Sequence, residues 1–164
     1  MGGCGCPQYC LAMPNVHPFR AVASSDVQAL SSLIAPPYDV LDTAGKGRLL
    51  ARNPKNIVAI DLPHIPAKEL GPAEAYAQAG ATLADWLASG VLRQRLTPAM
   101  FVYRQTFLSG GTSVQRTGMA CTMGLLACGP RSRESGGGVL WYEGTFSGPK
   151  EDRLALMRGT RAQL

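Results

Sequence analysis

The residues with the clearest chemical potential lie near the C-terminal end, where the order Lys-Glu-Asp-Arg at 150–153 follows Gly148 and Pro149. Gly148 is predicted as the N-cap and Pro149 as the first residue of a helix. The amides of the first turn then lack helical partners, and the helix dipole favours an anion beside them. Lys150 and Arg153 share a helix face, so both cations can contact the same anion. This spacing predicts a phosphate-binding site.

Side chains on either side of Pro149 could complete such a site. Glu143 and Thr145 precede the helix, on a segment that we expect to fold back over its start. Glu143 would then be a general base that deprotonates an attacking hydroxyl, and Thr145 would contact the phosphate, as phosphoryl transfer requires. Asp152 points elsewhere and would cap the helix or bind a metal ion. Alternatively, Glu151 and Asp152 only complement the helix dipole, the two cations are solvated, and Glu143 pairs with one of them.

A second candidate is the acid in "APPYDV". Pro36 and Pro37 exclude helix continuation and hold the chain extended, so Tyr38 and Asp39 lie on a rigid turn. Asp39 is predicted as a catalytic residue that orients the substrate or Mg²⁺. A capping role for Asp39 at the next helix is the alternative.

The elements that must position these residues follow from hydrophobic periodicity. The pattern predicts helices at 24–35, 40–53 and 72–90, a buried strand at 56–62, and an antiparallel hairpin from 99–108 and 112–126. The longest helix places Tyr76, Leu83, Trp86 and Leu87 in one core stripe. Both faces of the hairpin are apolar, so we expect it inside a mixed sheet flanked by helices. His64 lies in a Pro-rich connection, where a lone histidine is predicted to be solvated.

Length and composition favour one α+β domain. The chain has 164 residues, of which 46% are hydrophobic, and no run of apolar residues is long enough for a membrane helix. Residues 1–15 are predicted as a disordered leader and 16–164 as the domain, truncated at its C-terminus within the last helix. The N-terminal residues lack the pattern of a secretory signal, so we expect a cytoplasmic protein.

Charge is distributed unevenly between the two halves of the chain. Residues 1–90 hold six basic and seven acidic side chains, whereas 91–164 hold ten and four. The second half therefore favours an anionic partner. Its arginines are scattered and form no basic run with interleaved aromatics, which argues against nucleic acid and for a phosphorylated small molecule. Common nucleotide-site and hydrolase motifs are absent.

Several motifs in order resemble the domain of unknown function 1015 family of prokaryotes. They are "HPFRAV", "APPYDV", "NPKNIVAIDLPHIP", "ADWLASGVL" and "GTFSGPKEDRLALMRGTRAQL". The resemblance covers residues 16–164. It implies an α+β domain similar to the ParB/sulfiredoxin-like fold, and a relationship to enzymes that phosphorylate free serine. Positions that match the family pattern are Pro37, Tyr38, Asp39, Glu143, Thr145, Lys150, Glu151, Asp152 and Arg153.

The resemblance implies a phosphotransferase of the free-serine-kinase type, with Mg²⁺ and ATP, ADP or pyrophosphate as the phosphate donor. One position departs from the family pattern, because Tyr142 stands where a histidine is expected before Glu143. Tyrosine is a poor proton shuttle near neutral pH. Family members also look longer than this chain. The alternatives are therefore a non-catalytic nucleotide- or metabolite-binding module and an inactive fragment.

Overall fold

The computed structural model describes residues 15–124 and 146–164, which combine helices with short antiparallel strands. The α+β class is confirmed. In chain order the elements are β1 (Val16–His17), β2 (Val22–Ser24), α1 (Leu30–Leu33), a 3-10 turn (Tyr38–Val40), α2 (Thr43–Arg52), α3 (Val58–Asp61), α4 (Ala73–Ala88), β3 (Leu92–Gln94), β4 (Phe101–Ser109), β5 (Thr112–Ala120), β6 (Thr122–Met123) and α5 (Ser147–Thr160).

The described residues divide into two compact units. Unit 1 comprises residues 15–21 and 96–124, and unit 2 comprises 22–95 and 146–164. None of the helices in these residues is long and apolar enough to span a membrane.

Unit 1 is built around the predicted hairpin of β4 and β5. The strands pair from Phe101 with Ala120 to Ser109 with Thr112. The turn uses Gly110 and Gly111 at φ values of 56° and 79°, where a side chain would be strained. The hairpin prediction is therefore confirmed.

The prediction of one mixed sheet is wrong for the described residues. Their named strands form three two-stranded antiparallel sheets, which pair β1 with β6, β2 with β3, and β4 with β5. Most hairpin side chains are exposed, and Leu108 retains 78% of its accessible surface. Apolar alternation identified the strands, but it carries no information about which other strand lies alongside them.

Unit 2 contains the main core, formed where α4 packs against α5 and α3. Its buried members are Ile60, Tyr76, Ala79, Leu83, Trp86 and Leu156. The helix predicted at 72–90 is confirmed as α4, although Leu87 is 38% exposed and lies outside the stripe. Gly80 in α4 and Gly159 in α5 allow the two helix backbones to approach closely, because a Cβ at Gly159 would lie 2.6 Å from the Tyr76 carbonyl oxygen.

The strand predicted at 56–62 is wrong, since this segment contains the short helix α3. Asn56 explains the difference. Its side chain is fully buried, accepts a hydrogen bond from the Val58 amide at 3.0 Å and donates to the carbonyl oxygens of Ser32 and Ile34. These contacts start a helical turn and leave the backbone of 58–61 unavailable for a sheet.

The residues that cap helices α1 and α2 differ from the sequence-based alternatives. Asp42 caps α2 by accepting from the Gly45 amide at 2.6 Å, so Asp39 does not have that role. The helix predicted at 24–35 is shorter, because Asp26 binds the Gln28 and Ala29 amides in a turn before α1.

Candidate functional site

The start of α5 differs slightly from the sequence-based expectation. The helix begins at Ser147 with Phe146 as its N-cap, two residues before the predicted start at Pro149. The Lys150 amide donates to the Phe146 carbonyl at 3.4 Å and is therefore not directed at an anion. The ammonium-bearing side chain of Lys150 is exposed.

Asp152 is the centre of a buried polar network. Its side chain is only 1% exposed. The Oδ1 atom accepts from His64 Nε2 at 2.9 Å and from the Tyr76 hydroxyl at 2.8 Å. The Oδ2 atom accepts from Arg153 Nε at 3.1 Å and Nη2 at 3.0 Å. Four donors therefore satisfy one carboxylate.

Arg153 extends this network to two other segments. Its Nη1 atom donates to the Asp61 carbonyl oxygen at 2.9 Å and to Asp61 Oδ1 at 3.0 Å. The guanidinium carbon lies 3.9 Å from the centroid of the Tyr38 ring, a cation-π geometry. Arg153 thus links α5 to the end of α3 and to residues 36–40, the proline turn.

Tyr76 and His64 complete the network on the other side of Asp152. The Gly71 amide donates to the Tyr76 hydroxyl at 2.7 Å, and that hydroxyl lies 3.0 Å from His64 Nε2. The two rings meet edge to face at 5.5 Å. His64 is therefore held from two directions, contrary to the prediction that it is solvated.

Charge and burial act in opposite directions on Asp152. Burial would raise the pKa of its carboxyl, but hydrogen bonds from His64, Tyr76 and Arg153, together with the Arg153 charge, lower the pKa overall. Burial raises the pKa of the Tyr76 hydroxyl, and the hydrogen bond to the Asp152 carboxylate raises it further by a smaller amount. At neutral pH, Asp152 is therefore an anion and Tyr76 a hydroxyl donor.

The sequence-predicted site residues have different environments. Arg153 and Asp152 lie inside the network, and Lys150 is exposed on the same helix. Asp39 is 41% exposed, and its Oδ2 atom lies 3.5 Å from Lys68 Nζ. Glu143 and Thr145 lie outside the described residues, as do Tyr142, the leader residues 1–14 and most of the segment between the hairpin and α5.

A metal ion at Asp152 stays a prediction, but the local geometry gives it little room. Both carboxylate oxygens already accept from protein donors, so a cation would have to displace them. Within residues 15–124 and 146–164, no group of three His, Cys, Asp or Glu side chains could hold a metal ion.

Sequence reasoning missed three members of the network: Asp61, His64 and Tyr76. The helical periodicity predicts Tyr76 in a core stripe, which is correct for its ring but does not account for its hydroxyl. The apolar pattern predicts Asp61 in a strand. His64 and Asp152 are 88 residues apart, so no local spacing could have paired them.

Apart from Tyr76, the network residues come from stretches that carry the family resemblance: "APPYDV", "IDLPHIP" and "GPKEDR". The family model described as protein of unknown function (DUF1015) matches residues 16–164. The chain belongs to this DUF1015 family. Comparisons with curated proteins and with solved structures gave no match. The DUF1015 match does not address similarity to the ParB/sulfiredoxin-like fold, which stays a prediction.

Proposed function

We propose that this DUF1015 domain is a phosphotransferase that acts on the hydroxyl of a small metabolite, with free serine as the first acceptor to test. The supporting observation is the convergence of three distant segments around Asp152 and Arg153. Tyr38, Asp61 and His64 all contact one or other of these two residues. A rigid site assembled before ligand binding is what phosphoryl transfer needs, because its rate depends mainly on positioning and charge neutralisation.

The cations have separate roles in this proposal. Arg153 is fixed by Asp61, Asp152 and Tyr38 and supplies a positive field at a set position. Lys150 is exposed on the same helix, so it is the cation that reaches the transferred phosphate. Asp39, on the proline turn, orients the acceptor. Glu143 is the sequence-based candidate for the base, and Thr145 is the sequence-based candidate for a phosphate contact.

Magnesium would enter this site with its phosphate donor. The described residues contain no cluster of carboxylates that could bind the ion without further ligands from the phosphate donor or water. Mg²⁺ is commonly held by donor phosphates, waters and one or two protein carboxylates. Asp39, whose side chain is 41% exposed and pairs with Lys68, would be its protein contact. The donor itself is ATP, ADP or pyrophosphate.

The function is tested by phosphorus NMR of the full chain with Mg²⁺, L-serine and each donor in turn. We expect a phosphoserine signal whose rate of appearance falls by roughly 10³-fold or more in Lys150→Ala, since one cationic contact to the transferred group can contribute that much. Arg158→Ala is the matched control, because Arg158 is an exposed cation in the same helix. Equal turnover in both variants would refute the role of Lys150, and absence of phosphoserine with every donor would refute free serine as the acceptor.

A non-catalytic nucleotide- or metabolite-binding module is the second candidate. It is favoured because Arg153 and Asp152 already form hydrogen bonds with each other and with neighbouring residues, which leaves few of their donors and acceptors for a substrate. This arrangement is also what a purely structural polar cluster requires. A rise in Tm with ATP, ADP or pyrophosphate and serine, without any product in the phosphorus spectrum, would select this candidate over the enzyme.

A further inference from the structure

The two ring nitrogens of His64 have different surroundings. Nε2 lies 2.9 Å from Asp152 Oδ1 and 3.0 Å from the Tyr76 hydroxyl. Nδ1 has no hydrogen-bond partner among the described residues. His64 is therefore held through one nitrogen and has the other available for a further contact.

The partners of Nε2 determine where the proton of the neutral ring lies. The Tyr76 hydroxyl accepts from the Gly71 amide and directs its own proton to Asp152. Asp152 is an anion and can only accept. His64 therefore carries a hydrogen on Nε2, and in the neutral ring the lone pair lies on Nδ1.

Nδ1 also has some solvent-accessible surface. The described residues contain no buried side-chain nitrogen or oxygen that lacks a hydrogen-bond partner. His64 is not an exposed residue, with 10% of its side-chain surface accessible, and Nδ1 is unpartnered. Nδ1 must therefore contribute to that accessible 10%.

The orientation of the ring is fixed by its packing. A Cβ at Gly71 would overlap Cδ2 of His64 and lie 2.6 Å from Nε2, so only glycine allows this approach. The Tyr76 ring meets His64 at an interplanar angle of 80°. Asp152, Tyr76 and Gly71 together prevent the ring from turning Nδ1 inward.

We propose that His64, in place of Glu143, is the proton acceptor for a ligand hydroxyl at this site, and that Asp152 and Tyr76 are its positioning residues. The proposal deepens the proposed function and rests on it for the reaction. In that reaction the hydroxyl oxygen forms a bond to the terminal phosphorus of the donor. The bond from that phosphorus to the bridging oxygen breaks, and the leaving group keeps the electron pair. The hydroxyl proton passes to His64 Nδ1.

The first test reads the histidine nitrogens directly, by NMR of the full chain carrying ¹⁵N-labelled histidine. We expect His64 as the Nε2-protonated tautomer, and we expect L-serine to shift its Nδ1 resonance. His17, the other histidine in the sequence, is the internal control and should not move. Asp152→Asn should populate the Nδ1-protonated tautomer, because an amide can donate to Nε2. An Nδ1-protonated ring in the wild type, or no response of Nδ1 to serine, would overturn the proposal.

The second test distinguishes two roles of His64: accepting a proton from the ligand, or only donating a hydrogen bond to Asp152. His64→Gln keeps an N–H that can donate to Asp152 but removes the basic nitrogen. We expect kcat for phosphoserine formation to fall by about 10²- to 10⁴-fold, with KM changed only a few-fold and Tm close to the wild type. Unchanged kcat in His64→Gln, together with loss of turnover in Glu143→Gln, would assign the base to Glu143 and overturn the inference.

The two proposals can fail separately. If the wild type forms no phosphoserine with any donor, the proposal of serine phosphorylation fails. The serine-dependent shift of Nδ1 then decides whether His64 accepts a ligand hydroxyl in a binding module.

Discussion

At the scale of single residues, Asp152 shows how a charge can be buried in this domain. A lone carboxylate with 1% exposure would be strongly disfavoured, but here four donors surround it. Removing one partner of such a cluster lowers the free energy of unfolding by more than the whole cluster contributes to it. The reason is that the remaining polar groups stay buried without partners. The network is therefore rigid and sensitive to single substitutions.

We predict that Asp152 makes stability depend on pH in the acidic range. The folded-state pKa is lowered, so its contribution is fully present above the ordinary aspartate pKa near 3.9 and is lost as pH falls through the lowered value. Asp152→Asn should remove this dependence and lower the free energy of unfolding at pH 7 by about 3 kcal/mol. Urea denaturation from pH 2 to 7 measures both effects.

The control for this prediction is Glu151→Gln, because Glu151 is the exposed neighbour on the same helix. Glu151→Gln should change the free energy of unfolding by no more than about 0.5 kcal/mol. An Asp152→Asn variant whose stability follows the wild-type pH curve would contradict the assignment of the acid dependence to the buried carboxylate.

At the scale of elements, the contact between α4 and α5 sets the position of the site. Gly80 of α4 lies directly against the backbone of Gly159, and Gly159 lies against the Tyr76 backbone. This close approach brings Asp152 on one helix to the Tyr76 hydroxyl on the other. The two glycines therefore contribute to the geometry of the network although neither has a side chain in it.

We predict opposite effects for Ala at two helical glycines. Gly80→Ala places a methyl group on the Gly159 carbonyl oxygen, so we expect a loss of about 1–3 kcal/mol despite the better helix propensity. Gly47→Ala in α2 has open space around the added Cβ and should stabilise by about 0.5–1 kcal/mol. Thermal and urea unfolding measure both, and stabilisation by Gly80→Ala would show that α4 and α5 are not in close contact.

At the scale of the whole molecule, the two units differ in how much apolar surface they bury. The hydrophobic core and the polar network both lie in unit 2. The hairpin of unit 1 has mostly exposed side chains, and an isolated two-stranded hairpin is only marginally stable in water. Local stability should therefore vary strongly along the chain.

We predict that amide hydrogen exchange will separate these regions. Amides of β4 and β5 should exchange much earlier than those of α4, whose residues Tyr76, Ala79, Leu83 and Trp86 are buried. Exchange followed by mass spectrometry of peptides measures this directly. Protection of the hairpin equal to that of α4 would contradict the prediction and would mean that the exposed strand faces are covered in solution.

Local sequence patterns determined the elements whose stability is local. The helical stripe of α4 and the paired strands joined by Gly110 and Gly111 were predictable, because periodicity and turn chemistry act over a few residues. The proline turn and the charged start of α5 were also located, although the start of the helix was misplaced by two residues.

Only the tertiary structure decided the rest. The helix α3 forms because the buried Asn56 side chain binds a segment more than twenty residues earlier in the chain. His64 became a candidate functional residue because folding brings it to Asp152 across 88 residues. Both outcomes depend on burying polar groups with their partners. The sequence determines those partners through the fold as a whole, because no spacing along the chain records which distant donor will meet which acceptor.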